Sequence, residues 1–436
     1  MKPSVGDTLQ LHIERLGIYG EGVARHNGFT LFVDGALPGE LVAIQVTEVR
    51  STFGRAKLIK ILQSSPHWQT PPCPIFGKCG GCQIMHLKYA EQLRAKEDKV
   101  RDALERIGKI DTTILPCIPS PSPLHYRNKI QLPVNEKGHL GLYARNSHDI
   151  VEMQSCFIHC ALGEKVVHAM HPLIQGIPIK YVLLKTATST NQVLVVLVTK
   201  QEELLHSLAQ KLMDSVAEIK GVVQCINPSD DNTILSQNYK VLAGQGSIED
   251  VLCGLSFKVS PASFFQVNPG QAELLYSTAL AWASPLPSET VLDAYCGVGT
   301  LSLIFAKHCK KVLGIEIVKD AVVDARENAQ RNQIANARFV CGKAEEEIKQ
   351  VLDCDIAILN PPRKGCDKKL LDALIEKKPS RLLYISCDPA TLARDLNYLC
   401  AARYSVQKVQ PFDMFPQTMH VESLALCVAK DEQPSC

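Results

Sequence analysis

Two sets of cysteines stand in settings that suit reactive or ligating thiols rather than core residues. Cys387 closes the apolar run LLYISC, flanked by polar Ser386 and Asp388, with PATLARDL after it. Open α/β sheets bind ligands at the C-terminal ends of their strands, so a thiol there is placed for nucleophilic attack. A free thiol ionises at about 8.5, and the role therefore asks for local stabilisation of the thiolate. The second set is Cys73-x5-Cys79-x2-Cys82 in CPIFGKCGGCQ. Gly80 and Gly81 let the chain fold round one metal centre. From spacing alone zinc and a [4Fe–4S] cluster compete, and a fourth ligand must come from further off.

A third constellation reads as a nucleotide-like site. The strand TVLDAY runs into Asp293-Ala-Tyr-Cys-Gly-Val-Gly-Thr300 and then LSLIFAKH. Gly297 and Gly299 allow a tight turn and close approach to a ligand. The next strand, LGIEIV, places Glu316 nineteen residues after Gly297, where a carboxylate can accept hydrogen bonds from both ribose hydroxyls. Position 302 is Ser, so the third glycine of a dinucleotide fingerprint is absent and a single nucleoside is favoured. D-x-x-C-G-x-G-T followed by G-I-E resembles the Rossmann-like S-adenosylmethionine methyltransferases.

The elements that must hold these groups fall into three parts. Residues 1–62 alternate as short strands between turns such as GIYGEG and GALPGE, which predicts a small β-barrel. Residues 63–260 hold the Cys set, a helix over 88–108 ending at Gly108 and free to pack on the catalytic part, and a mixed α/β region with a helix over EELLHSLAQKLMDSVAEI. From 261 to 436 strands and helices alternate, as in a doubly wound parallel sheet.

The chain has 436 residues, 46% of them hydrophobic, a net charge of +2 and 17 Cys. No apolar run approaches the ~18 residues of a membrane span, and MKPSVGDTLQ opens no secretory signal. We expect a cytoplasmic protein with reduced thiols. A nucleic-acid surface would have to be a local cluster of Lys and Arg, because the overall charge is nearly balanced.

ILNPPRKG (358–365), LLYISCDPATLARDL (382–396), FPQTMHVESLAL (415–426) and SFFQVN (263–268) together resemble the RNA uracil-C5 methyltransferases, closest to the bacterial 23S ribosomal RNA enzymes. The resemblance spans essentially the whole chain. It implies a class I methyltransferase domain behind an OB-like TRAM barrel and a central iron–sulfur domain, acting as a monomer on 23S ribosomal RNA. It makes Cys387 the nucleophile at uracil C6 and Glu422, in HVE, the base that removes the C5 proton; on chemistry alone His420 is an alternative. Gln266, Tyr295, Thr300, Glu316 and Asn360 fall where the family contacts cofactor. It also turns the Cys73, Cys79 and Cys82 set toward [4Fe–4S], with Cys156 of MQSCFIHC as fourth ligand and Cys160 as runner-up. The tRNA branch lacks that cluster, which favours ribosomal RNA.

Two positions depart from the pattern. Asn360 stands where the family has Asp, and Lys343 where an acid or amide would face the adenine. NPPR also resembles amino-methyltransferases, but Arg363 takes the place of their aromatic residue. The competing expectations are a catalytically weak RNA-binding assembly factor, a tRNA uracil-C5 methyltransferase and an N-methyltransferase. Arg394 is read as a phosphate contact, an orienting residue or a solvated helix residue.

Overall fold

The computed structural model describes residues 2–229, 231, 233–350 and 353–430. Alternating strands Thr8–His12, Arg15–Leu16, Gly22–His26, Phe29–Val33, Leu41–Val49 and Phe53–Gln63 make one six-stranded sheet. Their inward residues, among them Leu11, Ala24, Leu31, Val42 and Ile44, form its core. Register shifts along Leu41–Val49 and Phe53–Gln63 mark bulges, which bend a sheet towards closure.

The second sheet runs in the order Tyr239–Gly244, Ile219–Ile226, Gln192–Thr199, Tyr181–Ala187, Lys129–Pro133. Its central strands are buried on both faces. Alternation along Tyr181–Ala187 sends Val182 and Leu184 to one core, with helices Ala161–Met170 and His206–Ser215. Leu183 goes to the other, with the hairpin Ile248–Leu252/Leu255–Val259 and the third sheet. The helix expected over EELLHSLAQKLMDSVAEI is shorter, His206–Ser215.

The third sheet holds eight strands in the order Ala337–Cys341, Lys311–Glu316, Thr290–Ala294, Ile356–Leu359, Arg381–Ser386, Glu422–Ala429, Tyr404–Phe412, Thr113–Ile114. The first five run parallel, and Glu422–Ala429 pairs antiparallel with both neighbours. The helix Tyr89–Ala103 sets Val100 and Ala103 into the same core as Leu392 and Leu396 of the helix Pro389–Ala402. Strand Thr113–Ile114 then extends the sheet beside Tyr404–Phe412. A chain segment from before the central sheet is therefore built into the third sheet and its core.

That helical run ends at Gly108 as its sequence predicts, but not with the expected cap. The α-turns stop at Ala103, Leu104–Gly108 widens to a π-turn, and the left-handed residue is Lys109 at φ 51°. A Cβ on Gly108 would lie 3.1 Å from the Ala393 carbonyl oxygen. Its glycine thus serves the close approach of two helices, not the cap.

Candidate active site

The cavity begins at the turn after strand Thr290–Ala294. Tyr295 has φ 140°, a strained backbone for a bulky residue, and Gly297 and Gly299 follow at 54° and 84°. A Cβ on Gly299 would press on the Phe339 ring at 3.0 Å, whereas one on Gly297 would meet nothing within 4 Å. One glycine permits packing behind the turn, and the other leaves its ligand side open. Glu316 closes the turn, accepting from Gly297 N at 3.1 Å and Val318 N at 2.9 Å.

The reactive groups come from two adjacent strand ends. Arg381–Ser386 and Glu422–Ala429 pair antiparallel with Ser386 opposite Ser423. Cys387 is one residue past the first partner and Glu422 one before the second, so the next opposed positions are these two. Asp388 caps the following helix, accepting from Ala390 N and Thr391 N, which fixes the chain on the far side of Cys387. From the neighbouring strand Ile356–Leu359, Asn360-Pro361-Pro362 carries Arg363 across to where its guanidinium acts on the Cys387 thiol.

Charge sorts these groups. Burial raises the Cys387 thiol, the Glu422 charge raises it further, and Arg363 opposes both. Glu422 is buried and its carboxyl is pushed up to about 8, with Arg363 again the opposing charge. Partial desolvation, then the charges of Arg363, Lys99, Lys96 and Arg127, hold the His420 imidazole down at about 4. His420 is thus a far weaker base than ionised Glu422.

Cys387, Glu422, Gln266, Tyr295, Thr300, Glu316 and Asn360 all line one cavity of 1290 Å³. A turn shaped for a nucleoside and a thiol–carboxylate–guanidinium group thus face the same space.

Comparison with known proteins bears on its chemistry. The family model for tRNA (Uracil-5-)-methyltransferase matches residues 88–430, and the TRAM domain model matches residues 2–59. The chain belongs to the RNA uracil-5-methyltransferase family. It is 40% identical to an uncharacterized RNA methyltransferase of Clostridium tetani, with 96% of each chain covered. A second uncharacterized RNA methyltransferase, from Halalkalibacterium halodurans, is also 40% identical, over 98% of each chain. Among solved structures it resembles the Pyrococcus abyssi tRNA (uracil-54, C5)-methyltransferase in complex with S-adenosyl-L-homocysteine. The TM-score is 0.79 at 26% identity, over 96% of this chain and 100% of that one. The protein is accordingly an enzyme, an S-adenosylmethionine-dependent RNA uracil-5-methyltransferase.

Within this uracil-5-methyltransferase, Gln266 is held by its neighbours: its carbonyl accepts from Asn128 Nδ2 at 3.1 Å, and its side chain meets the Tyr276 hydroxyl. Arg363 is the residue to which sequence reasoning gave no role beyond its place in NPPR, three positions after Asn360. Arg394 donates to Asp395 and to the Lys364 carbonyl at 3.0 Å, fixing the chain just after Arg363. Lys343 pairs with Glu346 at 3.1 Å.

The cysteines before the helix Tyr89–Ala103 gather separately. Among the described residues no His, Cys, Asp and Glu side chains meet as the ligand set of a metal ion. Burial raises the Cys82 thiol, and the charges of Cys156, Cys79 and Cys73 raise it further, so these three thiols lie within electrostatic reach of Cys82. Gly81 N already donates to the Cys79 sulfur at 3.3 Å, and Glu164 accepts from Cys156 N at 2.9 Å. Burial raises the Cys160 thiol, with the Gly163 backbone opposing, and no other thiol figures among the described groups acting on it. The donor chemistry of Cys73, Cys79, Cys82 and Cys156 therefore fits an iron–sulfur cluster.

Proposed function

We propose that this enzyme methylates C5 of a uridine in 23S ribosomal RNA, with Cys387 as nucleophile and Glu422 as base. The observation that carries the chemistry is the placement of Cys387 and Glu422 at opposed strand ends, with Arg363 beside both, in the cavity that holds the Gly297–Glu316 turn.

Uracil C5 is a poor nucleophile until the 5,6 double bond is opened. The Cys387 thiolate, held by Arg363, adds to C6 and pushes the electron pair toward the C4 oxygen. S-adenosylmethionine, when bound, supplies an electrophilic methyl group, which C5 takes up. Glu422 then removes the C5 proton, the 5,6 double bond re-forms and the thiolate leaves. A carboxyl raised to about 8 is a strong base once ionised, which suits a carbon acid. Gln266, Tyr295, Thr300, Glu316 and Asn360 bind and orient donor and base. Cys73, Cys79, Cys82 and Cys156 hold a [4Fe–4S] cluster that shapes the loop they lie on, and the barrel 1–62, the region 63–260 and the domain 261–436 act as three parts.

5-Fluorouridine-substituted RNA with S-adenosylmethionine tests the mechanism, since fluorine at C5 blocks proton removal. A covalent adduct through Cys387 is expected; its absence in the wild type, or an equal yield in Cys387→Ala, would sink the mechanism. The likeness to a tRNA (uracil-54, C5)-methyltransferase supports a second reading, a tRNA uridine. Mapping C5-methyluridine in 23S RNA and in tRNA from cells with and without the protein separates the two.

A further inference from the structure

The turn joining strands Arg15–Leu16 and Gly22–His26 of the barrel ends in two exposed apolar side chains. Ile18 is 56% and Tyr19 62% exposed, while Gly17, Gly20 and Glu21 around them are buried. This tip is anchored on several sides. The Glu21 carboxylate accepts from Tyr19 N at 2.9 Å, and Gly17 N donates to the Glu21 carbonyl at 2.7 Å. Gly20 sits so close to Gln83, Ile84 and Met419 that a Cβ there would come within 3.0 to 3.1 Å of each.

Lys99 supplies the most informative anchor. Its ammonium donates to the Ile18 carbonyl at 3.0 Å and to the Met419 carbonyl at 2.9 Å. One side chain of the helix Tyr89–Ala103 thereby ties the barrel tip to the segment whose next residue, His420, lines the cavity. Asp388 and Arg363, on either side of the Cys387 site, are also within electrostatic reach of Lys99. The exposed ring is thus held, through Lys99, next to the segment that leads into the cavity, with Arg363 and Lys96 as cations and Asp388 and Glu21 as acids within reach of that lysine.

A rigid aromatic facing solvent beside a cavity for one base is the arrangement on which nucleobases stack. A uridine reaching Cys387 must leave its stack, and the base beside it loses a neighbour. We propose that Tyr19, backed by Ile18, is the stacking platform for the nucleotide adjacent to the target uridine, and that Lys99 is the positioning residue that fixes this platform against the catalytic segment. The inference rests on the RNA uracil-C5 reading.

The test uses the full-length enzyme with 23S transcript and bulk tRNA as probes, at saturating S-adenosylmethionine. Tyr19→Ala is expected to raise the KM for the methylated RNA by roughly 5- to 150-fold, the equivalent of one lost base stack. Tyr19→Trp should stay near wild type, and S-adenosylmethionine affinity by calorimetry should be unchanged in both. Lys99→Met should raise the same KM, and its combination with Tyr19→Ala should cost less than the two singles together. An unchanged KM in Tyr19→Ala, or an equal rise in Tyr19→Trp, overturns the platform alone. If the wild type methylates no uridine in either RNA, the underlying reading falls and this one with it.

Discussion

Cys387 and Cys82 are both half-buried thiols raised by burial, yet their neighbours give them opposite prospects. Beside Cys387 stand one guanidinium and one carboxyl, so its charge can be stabilised, spent on a carbon atom and recovered. Around Cys82 stand three more thiols, with Arg127 as the opposing charge, so ionisation of the set needs positive charge in its midst. The residue type is the same; on the proposed reading, the sign of the surroundings separates a nucleophile from a ligand.

The sharpest way to break this contrast is to remove each thiol. Cys387→Ala should lower methylation by about 10⁴-fold or more while leaving S-adenosylmethionine binding intact. Measurable turnover of that variant would mean the nucleophile lies elsewhere. Glu422→Gln should lose roughly 10²- to 10⁴-fold in turnover and accumulate a methylated protein–RNA adduct, visible as a retarded band on denaturing gels. On the other side, Cys156→Ser should strip the iron and its visible absorption from anaerobically purified protein, whereas Cys160→Ser should keep both. The reverse outcome would exchange the fourth ligand.

Arg363→Met probes the sign of the surroundings directly. Removing the cation should move the pH midpoint for alkylation of Cys387 upward, and no movement would detach the guanidinium from the thiolate. The smallest effect is on pH dependence. Cys387 and Glu422 both ionise above their ordinary range, so turnover should climb from pH 6.5 towards 9. Stability should run the other way: folded Glu422 keeps its proton up to about 8, while the unfolded chain releases it near ~4.3. Its contribution is full below the lower value and is lost as pH rises through the higher, at up to about 1.4 kcal/mol per pH unit. Urea melts of Glu422→Gln should lack that decline.

Much of the catalytic half could be read from local pattern. Two glycines and an acid at the right spacing, a thiol at a strand end and the alternation of strands and helices are short-range signals, and the residues named from them share one cavity. What sequence concealed depends on distant parts of the chain. Arg363 looked like the occupant of an aromatic position because nothing local says that its guanidinium reaches Cys387 on the next strand. The buried ion pair of Lys96 with Asp413, joined by the Tyr89 hydroxyl at 2.8 Å, links residues more than 300 positions apart. Breaking it by losing one partner should cost about 3–5 kcal/mol, yet an isolated Lys in a helix reads as solvated surface. The need for glycine at position 108 was hidden for the same reason, since its close neighbour is Ala393 in another helix.

The opposed positions of Cys387 and Glu422 have a consequence for how such an enzyme can change. Their separation is set by backbone hydrogen bonds between adjacent strands, not by the 34 residues of chain between them. Loops within that stretch, outside the helix Pro389–Ala402 and the strand Tyr404–Phe412, can change length without altering the reach from nucleophile to base. A single residue inserted within either strand would instead present Val421 or Ser423 in place of Glu422. Freedom to diversify around the site and intolerance at its centre thus come from one ladder of hydrogen bonds.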